Sequence, residues 1–179
     1  MFFRTGSGSD AGSLTTRAKF DPATNEYVVN GGKAFISGAG QNGIYLVMCR
    51  TGETMSPKDI SCLIIPVQSK GLSFGAIEKK MGWNCQPTRQ IMFEDVRVPV
   101  ANRLGAEGQG FKMAMAGLDG GRLSIGACSL GAAQACFELA LAYSKERKQF
   151  GKPIAENQAL QFKFADMAGK ILQMRLMLR

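Results

Sequence analysis

The spacing of apolar residues changes near residue 106, and this change most constrains how the chain can fold. Before it, short apolar runs of strand composition are separated by turn residues. After Gly110, apolar residues recur every three or four positions, which is typical of amphipathic helices. We therefore predict an α+β chain, with an antiparallel β-barrel or sandwich over residues 1–105 and helices over 106–179.

Six segments of the first part are predicted to be strands. Asn30, Gly31 and Gly32 separate two of them and indicate a hairpin turn. The run 44–50 is apolar throughout, which predicts burial on both faces of the sheet. The predicted strands are 15–20, 26–30, 33–37, 44–50, 60–67 and 89–98.

Two helices are predicted in the second part, with a break at Gly151 and Pro153 between them. Segment 120–131 of the first helix contains four glycines, and an interior glycine costs a helix about 1 kcal/mol relative to alanine. Close packing against another helix is the favoured explanation for the glycines at positions 126 and 131. The apolar residues of the second helix share one face; they are Leu160, Phe164, Met167, Ile171, Met174 and Leu178.

Both ends of the sequence are abrupt. The second helical pattern reaches Arg179 without a cap or a glycine terminator, and no element precedes the glycine-serine loop that starts at Gly6. Two amphipathic helices cannot bury their apolar faces against each other alone. We therefore expect the chain to be an internal piece of a longer protein.

Composition excludes several classes of site. The 179 residues include no histidine, which excludes Ser–His and Cys–His nucleophile pairs and argues against zinc, so no metal site is predicted. The five cysteines form no CxxC pair, so reduced thiols inside a cell or organelle are expected, and secretion is not. No apolar run is predicted to cross a bilayer.

The net charge of +8 favours an anionic ligand, although an ordinary basic surface explains it equally well. The Lys and Arg residues are scattered, whereas nucleic-acid-binding surfaces carry a dense basic stripe with exposed aromatic residues. A nucleic-acid binder, which steep salt dependence would reveal, is therefore the least favoured hypothesis. Small phosphorylated ligands fit the scattered basic residues better than nucleic acid does.

Three motifs offer contacts for such a ligand. Gly8 and Ser9 lie in the loop GSGSDAGS, whose N–H groups can approach a phosphate, unless the loop is a flexible linker. Ser37 ends a predicted strand, where its hydroxyl can bond a planar ring or simply face solvent. Arg147 and Phe150 suit a nucleotide phosphate and its base, but a solvated basic helix end is the more common explanation.

In their order and spacing, five segments resemble the acyl-CoA dehydrogenase family. The resemblance implies an N-terminal helical domain, a middle β-domain and a C-terminal four-helix bundle, of which this chain carries the β-domain and the first two bundle helices. GWNCQPTR and LDGGR most resemble the branch that dehydrogenates a short branched acyl-CoA, such as isobutyryl-CoA, in valine breakdown. The segments are GSGSD (6–10), NGGKAFIS (30–37), MGWNCQPTRQIMFEDVRVP (81–99), NRLGAEGQGFKMAMAGLDGGR (102–122) and RKQFGKPI (147–154).

The resemblance implies FAD as the cofactor and assigns roles in the β-domain. Gly8 and Ser9 are expected at the FAD pyrophosphate, with Ser9 also near the pantetheine arm of the acyl-CoA. Phe35, Ile36 and Ser37 are expected beside the isoalloxazine, with the Ser37 hydroxyl facing flavin N5.

The resemblance also assigns residues of the helical part. It places Asp119, Gly120, Gly121 and Arg122 at the acyl-CoA, where the two glycines leave room for an acyl chain and Arg122 supplies a fixed charge. Arg147, Asn157 and Gln158 match positions that hold FAD, with Arg147 reaching the cofactor of a neighbouring subunit.

No residue of the chain matches the carboxylate base of the family. In isovaleryl-type members a Glu precedes the helix arginine, and here Gly121 has that position; in other members the base lies on a late helix, beyond residue 179. Arg4 and Thr5 also replace the usual acidic residue and proline before the glycine-serine loop. The chain alone is therefore expected to be inactive, and the alternative is a non-catalytic subunit that retains FAD or acyl-CoA binding or joins intact subunits.

The resemblance further implies partners and a location. An electron-transferring flavoprotein is the expected electron acceptor, and a homotetramer is the expected assembly. The compartment is the mitochondrial matrix in a eukaryote or the cytoplasm in a bacterium.

Overall fold

Seven strands of the first part of the chain form one mixed sheet, in a computed structural model that describes residues 8–179. The strands are β1 (Arg17–Asp21), β2 (Glu26–Ser37), β3 (Ile44–Arg50), β4 (Ile60–Pro66), β5 (Leu72–Ile77), β6 (Thr88–Pro99) and β7 (Arg103–Leu104). Their order in the sheet is β5-β6-β2-β1-β3-β4-β7. Contacts divide the chain into a first unit that ends at Ala116 and a second unit, Gly117–Arg179. The predicted boundary at residue 105 stays a prediction.

The sheet curls on itself. Its strand pairs are antiparallel, apart from the parallel pair β1–β3, in which Arg17 lies opposite Arg50. β4 also contacts β6, so the concave side encloses one apolar cluster that includes Tyr27, Val47 and Phe93. The predicted barrel-like β-domain is thereby confirmed, with the parallel pair making the sheet mixed.

β3 is buried on both faces in its second half, as its sequence predicts. Val47 and Cys49 belong to the cluster on the concave side. Met48 belongs to a second cluster on the other face, with Leu14, Ile60, Cys62 and Ala114. Because each face has its own apolar partner, this strand needs no polar alternation.

The hairpin predicted at Asn30-Gly31-Gly32 is wrong, because β2 runs without interruption from Glu26 to Ser37. A β-bulge accounts for the glycine at this point: the β2–β6 register shifts between Val29 and Gly31. Gly31 has φ +132°, and a Cβ there would lie 2.9 Å from the Cα of Thr16. The β1–β2 turn is formed instead by residues 22–25.

Two helices are present in the helical part of the chain, as predicted. They are α1 (Gly110–Glu146) and α2 (Gln158–Met177). In the second unit they lie antiparallel: the Phe137 and Phe164 rings meet edge to face at 6.0 Å. A Cβ on Gly126 would lie 3.1 Å from the Leu178 side chain, whereas one on Gly131 would meet no described atom within 4 Å. The packing explanation is therefore supported at Gly126 only.

α1 is also long and apolar enough to cross a membrane, judged by length and composition alone. The sequence expectation that no run had these properties is therefore wrong. Length and composition do not separate a membrane span from a helix of a helical domain. The first turns of α1 pack in the first unit, where Phe111, Met113 and Met115 cover the second apolar cluster.

Thiol reactivity is expected to divide the cysteines into two groups. Cys49 and Cys62 are buried, and burial raises the pKa of Cys49 to about 12 and that of Cys62 above its ordinary value. At pH 8 only about one in ten thousand Cys49 side chains is a thiolate, the reactive form. An aromatic disulfide reagent should therefore titrate three thiols quickly, those of Cys85, Cys128 and Cys136, and the other two only after unfolding. Cys85→Ser should lower the fast count to two; a fast count of four in the native chain would contradict the buried placement.

Candidate functional site

Phe35 occupies an unfavourable backbone conformation near the end of β2. The β2–β6 register shifts between Lys33 and Ile36, and Phe35 within this bulge has φ +56°. Left-handed backbone costs a non-glycine residue about 1–2 kcal/mol, and Phe35 also leaves its ring 62% exposed. Strain and apolar exposure together are typical of a residue kept for ligand contact.

Ser37 ends β2 and faces solvent, as the sequence predicts. It pairs with Thr88, and the next N–H, that of Gly38, donates to the Pro87 carbonyl at 2.8 Å. The loop that leads into Thr88 therefore lies at the same end of the sheet. This loop carries Trp83, which has φ +56° and is 68% exposed. Ile36, between Phe35 and Ser37, points into the concave core instead and is buried.

Gly8 and Ser9 are exposed and precede a short 3₁₀ turn, Ala11–Ser13. The main-chain N–H and the hydroxyl of Ser13 donate to the Asp10 carbonyl at 3.2 and 3.0 Å. The turn thus fixes the end of the loop while leaving the two predicted phosphate contacts at the surface. Gly6 and Ser7, the first residues of the motif, lie outside the described residues.

Sequence reasoning missed two buried basic residues of the first unit. Lys33 is 2% exposed, and its ammonium donates to the Met48 carbonyl at 2.8 Å. Arg50 is 1% exposed and donates to the carbonyls of Gly12, near the end of the glycine-serine loop, and Leu14, just after it. The only signal in the sequence was a basic residue beside apolar residues. Charged residues are rarely buried without partners, so such a residue would indicate a buried, hydrogen-bonded side chain.

Two carboxyl groups of the first unit have displaced pKa values, and both are lowered. The Arg97 guanidinium, 3.1 Å from the Asp21 carboxylate, lowers the pKa of Asp21. The Thr54 hydroxyl, 2.7 Å from the Asp59 carboxylate, lowers the pKa of Asp59. A general base that works near neutral pH has a raised pKa, so neither group has the properties of a catalytic base.

The four predicted acyl-CoA contacts lie in the second unit, on the exposed surface of α1. A Cβ added at Gly120 or Gly121 would meet no described atom within 4 Å, so this part of the helix borders open space. Asp119 and Arg122 flank the two glycines and are exposed. The Ser124 hydroxyl donates to the Gly120 carbonyl at 3.0 Å, a side-chain bond to the i−4 carbonyl that slightly weakens a helix and does not offset the poor helix propensity of the glycines.

The three predicted FAD contacts of the second unit lie in the connection between α1 and α2. A hairpin of β8 (Lys148–Gln149) and β9 (Lys152–Pro153) fills this connection. The N–H of Ile154 donates to the Arg147 carbonyl at 2.8 Å, which closes the base of the hairpin. Asn157 occupies the N-cap position of α2 without a side-chain capping hydrogen bond, and Gln158 is the first residue of the helix; both are exposed.

Phe150 stands at the tip of this hairpin and is fully exposed. Its φ of +52° and the φ of +78° at Gly151 are those of a type I′ turn. Asn, Asp or Gly usually fill the first of these positions, so a phenylalanine there has no local structural advantage. Its ring is therefore a second candidate for ligand contact.

Apart from Gly8 and Ser9, which lie in a loop of their own, and the buried Ile36, the structure gathers the predicted residues into three groups. Phe35 and Ser37 share one sheet end, Asp119–Arg122 form one helix segment, and Arg147, Asn157 and Gln158 share one connection. The first group belongs to the first unit and the other two to the second. Each group is exposed, and the Arg122 and Arg147 guanidiniums are of the kind that forms charge-assisted hydrogen bonds to phosphates.

Comparison with known proteins gives the class to which this arrangement belongs. Residues 5–96 match the family model of the acyl-CoA dehydrogenase middle domain, and residues 108–179 match that of the C-terminal domain. The chain therefore belongs to the acyl-CoA dehydrogenase family. Among curated relatives, it is similar to the mitochondrial isobutyryl-CoA dehydrogenases of Dictyostelium discoideum (57% identical) and Bos taurus (56% identical), over 97% of its own length. It spans 41% of the length of each.

Solved structures of the family have the same fold. Butyryl-CoA dehydrogenase of Megasphaera elsdenii is 38% identical with a TM-score of 0.93, and the match covers 99% of this chain and 46% of that one. An acyl-CoA dehydrogenase of Bacillus anthracis, complexed with FAD, is 34% identical with a TM-score of 0.85. The match covers 95% of this chain and 28% of that one. A chain in the structure of the electron-transferring flavoprotein of Acidaminococcus fermentans is 41% identical, with a TM-score of 0.92 and coverages of 99% and 46%.

Proposed function

We propose that the chain supplies flavin- and thioester-binding surfaces of an FAD-dependent dehydrogenase that acts on a short branched acyl-CoA. The observation that carries this proposal is the strained, exposed Phe35 beside Ser37, in a chain that is 57% identical to an isobutyryl-CoA dehydrogenase. The reaction is the α,β-dehydrogenation of isobutyryl-CoA in valine breakdown.

The residues present fit the cofactor. A planar ring placed at the end of β2 would contact the exposed Phe35 ring and lie within reach of the Ser37 hydroxyl. FAD, when bound, supplies the acceptor atom for the hydride that leaves the β-carbon. Gly8 and Ser9 offer main-chain N–H groups and a hydroxyl to its pyrophosphate. Arg147, Asn157 and Gln158 offer a guanidinium and two amides, with Arg147 directed to the cofactor of a neighbouring subunit.

The helix segment Asp119–Arg122 is proposed to hold the acyl-CoA. The missing side chains at Gly120 and Gly121 leave a channel beside α1 that an acyl chain can enter. The Arg122 guanidinium supplies a fixed positive charge on that surface. Hydrogen bonds to the thioester carbonyl lower the pKa of the α-carbon, which makes proton removal by a carboxylate feasible.

The carboxylate base is proposed to come from outside these 179 residues. Gly121 takes the position before Arg122 where isovaleryl-type relatives carry a glutamate, and a glycine cannot accept a proton. Asp21 and Asp59, whose pKa values are lowered, are held as weak bases by their hydrogen-bond partners. The chain is therefore proposed to bind without turning over by itself.

A flavin spectrum tests the proposal. The chain is mixed with FAD, separated from free FAD by gel filtration, and then given isobutyryl-CoA without oxygen. We expect a retained, perturbed flavin spectrum that isobutyryl-CoA does not bleach. Bleaching would show that the chain contains a base and would contradict its external origin. A colourless chain would contradict flavin binding by these residues.

Partners and location follow from the same proposal. The electron acceptor is proposed to be an electron-transferring flavoprotein, which the match to a chain from Acidaminococcus fermentans supports. The assembly is proposed to be a homotetramer without a membrane span, in which α1 packs within a helical bundle. The mitochondrial relatives support the matrix in a eukaryote, and the cytoplasm is proposed for a bacterium.

A further inference from the structure

The Arg50 side chain is buried in the first unit and contacts the end of the glycine-serine loop and the residue that follows it. Its Nη2 donates to the Gly12 carbonyl at 2.7 Å, and its Nε donates to the Leu14 carbonyl at 3.2 Å. Its Nη1 donates to the Ser56 carbonyl at 2.8 Å. One guanidinium therefore joins two separate loops to β3.

The partners of Arg50 are mainly main-chain carbonyls. The nearest carboxylate oxygen, Oδ2 of Asp59, is 3.9 Å away and accepts a shorter hydrogen bond from Thr54 at 2.7 Å. A buried charge is costly unless it is hydrogen-bonded, and here the three carbonyls accept from each of the three guanidinium nitrogens. The flat guanidinium can serve several carbonyls in fixed directions, whereas a lysine ammonium acts as a single point charge.

The segment bonded to Arg50 has no strand partner. Residues 11–14 form a 3₁₀ turn and its exit rather than a strand, so no sheet ladder holds their carbonyls. Leu14 is fully buried, and the main-chain N–H of Arg50 donates to the Thr16 carbonyl at 2.8 Å. Arg50 thus contacts the carbonyls of residues 12, 14 and 16 in succession.

A continuous set of hydrogen bonds connects Arg50 to the glycine-serine loop. Gly12, held by Nη2, lies within the turn whose last residue, Ser13, donates twice to the Asp10 carbonyl. A Cβ on Gly12 would lie 3.3 Å from Cγ of Pro57, so the turn has little room to shift sideways. Asp10 follows directly after Ser9, so this set of hydrogen bonds ends one residue from Ser9.

We propose that Arg50 is a positioning residue that holds the main chain of Gly8 and Ser9 in the shape that receives the FAD pyrophosphate. Arg50 itself does not touch the ligand. The proposal rests on the proposed function in one respect, the assignment of Gly8 and Ser9 to the pyrophosphate. The effect of Arg50 on the loop does not depend on that assignment.

Hydrogen–deuterium exchange of the chain without ligand tests the effect on the loop. Arg50→Met should speed amide exchange in residues 8–16 at least tenfold while leaving β2 and β6 unchanged, and Arg50→Lys should recover part of the protection. Arg97→Met is the matched control, since Arg97 also bonds three partners, Asp21, Thr24 and Glu26, but on the surface. Arg97→Met should leave the amide exchange rates of residues 8–16 unchanged. Unchanged or uniformly faster exchange in Arg50→Met would overturn the proposal.

Comparing two flavins tests the link to the pyrophosphate. FAD contains the pyrophosphate and riboflavin does not, so Arg50→Met should weaken FAD binding at least tenfold and riboflavin binding less than twofold. An equal loss for both flavins would show a merely structural role and overturn the proposal. A wild-type chain that binds neither flavin would overturn the proposed function and the pyrophosphate link together, whereas the exchange result would still decide whether Arg50 holds the loop.

Discussion

Gly71→Ala is expected to lower the free energy of unfolding of the first unit by about 3 kcal/mol. Gly71 precedes β5 with φ +87°, a conformation that side-chain-bearing residues rarely adopt. A Cβ there would collide with the Glu94 carbonyl oxygen of β6. The two residues are already joined by a hydrogen bond from the Glu94 N–H to the Gly71 carbonyl at 3.0 Å, so neither backbone can retreat without breaking the β5–β6 edge.

Urea unfolding followed by circular dichroism measures this loss. Gly82→Ala is the matched control, because an added Cβ at Gly82 would meet no described atom within 4 Å. Its effect should stay within about 0.5 kcal/mol. A Gly71→Ala chain as stable as the wild type would mean that β5 can shift along the edge of the sheet, contrary to its pairing with β6.

Phe35→Gly is expected to change stability and flavin affinity in opposite directions. Glycine adopts φ +56° without the Cβ penalty of about 1–2 kcal/mol, but it also adds conformational entropy to the unfolded chain. The free energy of unfolding should therefore rise by only about 0.5–1 kcal/mol. The lost ring is 62% exposed and contributes little to the core. FAD affinity should fall at least tenfold, because the ring is the proposed contact for the isoalloxazine.

Urea unfolding and FAD titration of the same preparation separate the two effects. Met55→Gly is the matched control: Met55 has φ +58° and is 49% exposed, but lies outside the three site groups. It should stabilise the chain to a similar extent and leave FAD affinity unchanged. A Phe35→Gly chain that binds FAD as tightly as the wild type would remove the main support for the proposed function.

The large elements of the fold could be predicted from the sequence because their signals are local. Helical spacing marks α1 and α2, and the unbroken apolar run marks β3, although only its second half is buried on both faces and Ile44 and Leu46 are exposed. β5 was missed: its sequence, LSFGAI, contains an interior glycine and lies on an edge of the sheet, where half-burial gives weak patterning. The misplaced hairpin at Gly31 has a different cause. Glycine is typical of both a β-bulge and a turn, so the local sequence does not distinguish the two.

The candidate site could be predicted only where it depends on local sequence motifs. Ser37 at the strand end and Arg147 beside Phe150 stand in recognisable segments, and the family resemblance assigned the rest. The contacts of Arg50 could not be predicted from the sequence, because they are made with carbonyls 36 and 38 positions away. The strain at Phe35 likewise depends on a register shift against β6, which one strand alone does not reveal.

The chain contains a single tryptophan, Trp83, on the loop that adjoins the Ser37 end of the sheet. Because its indole is largely exposed, its fluorescence responds to whatever approaches that loop. A flavin seated at the end of β2 would take up its excitation energy and dim the emission. The protein therefore has an intrinsic optical reporter of occupancy at this site, so binding can be followed in real time without adding a label.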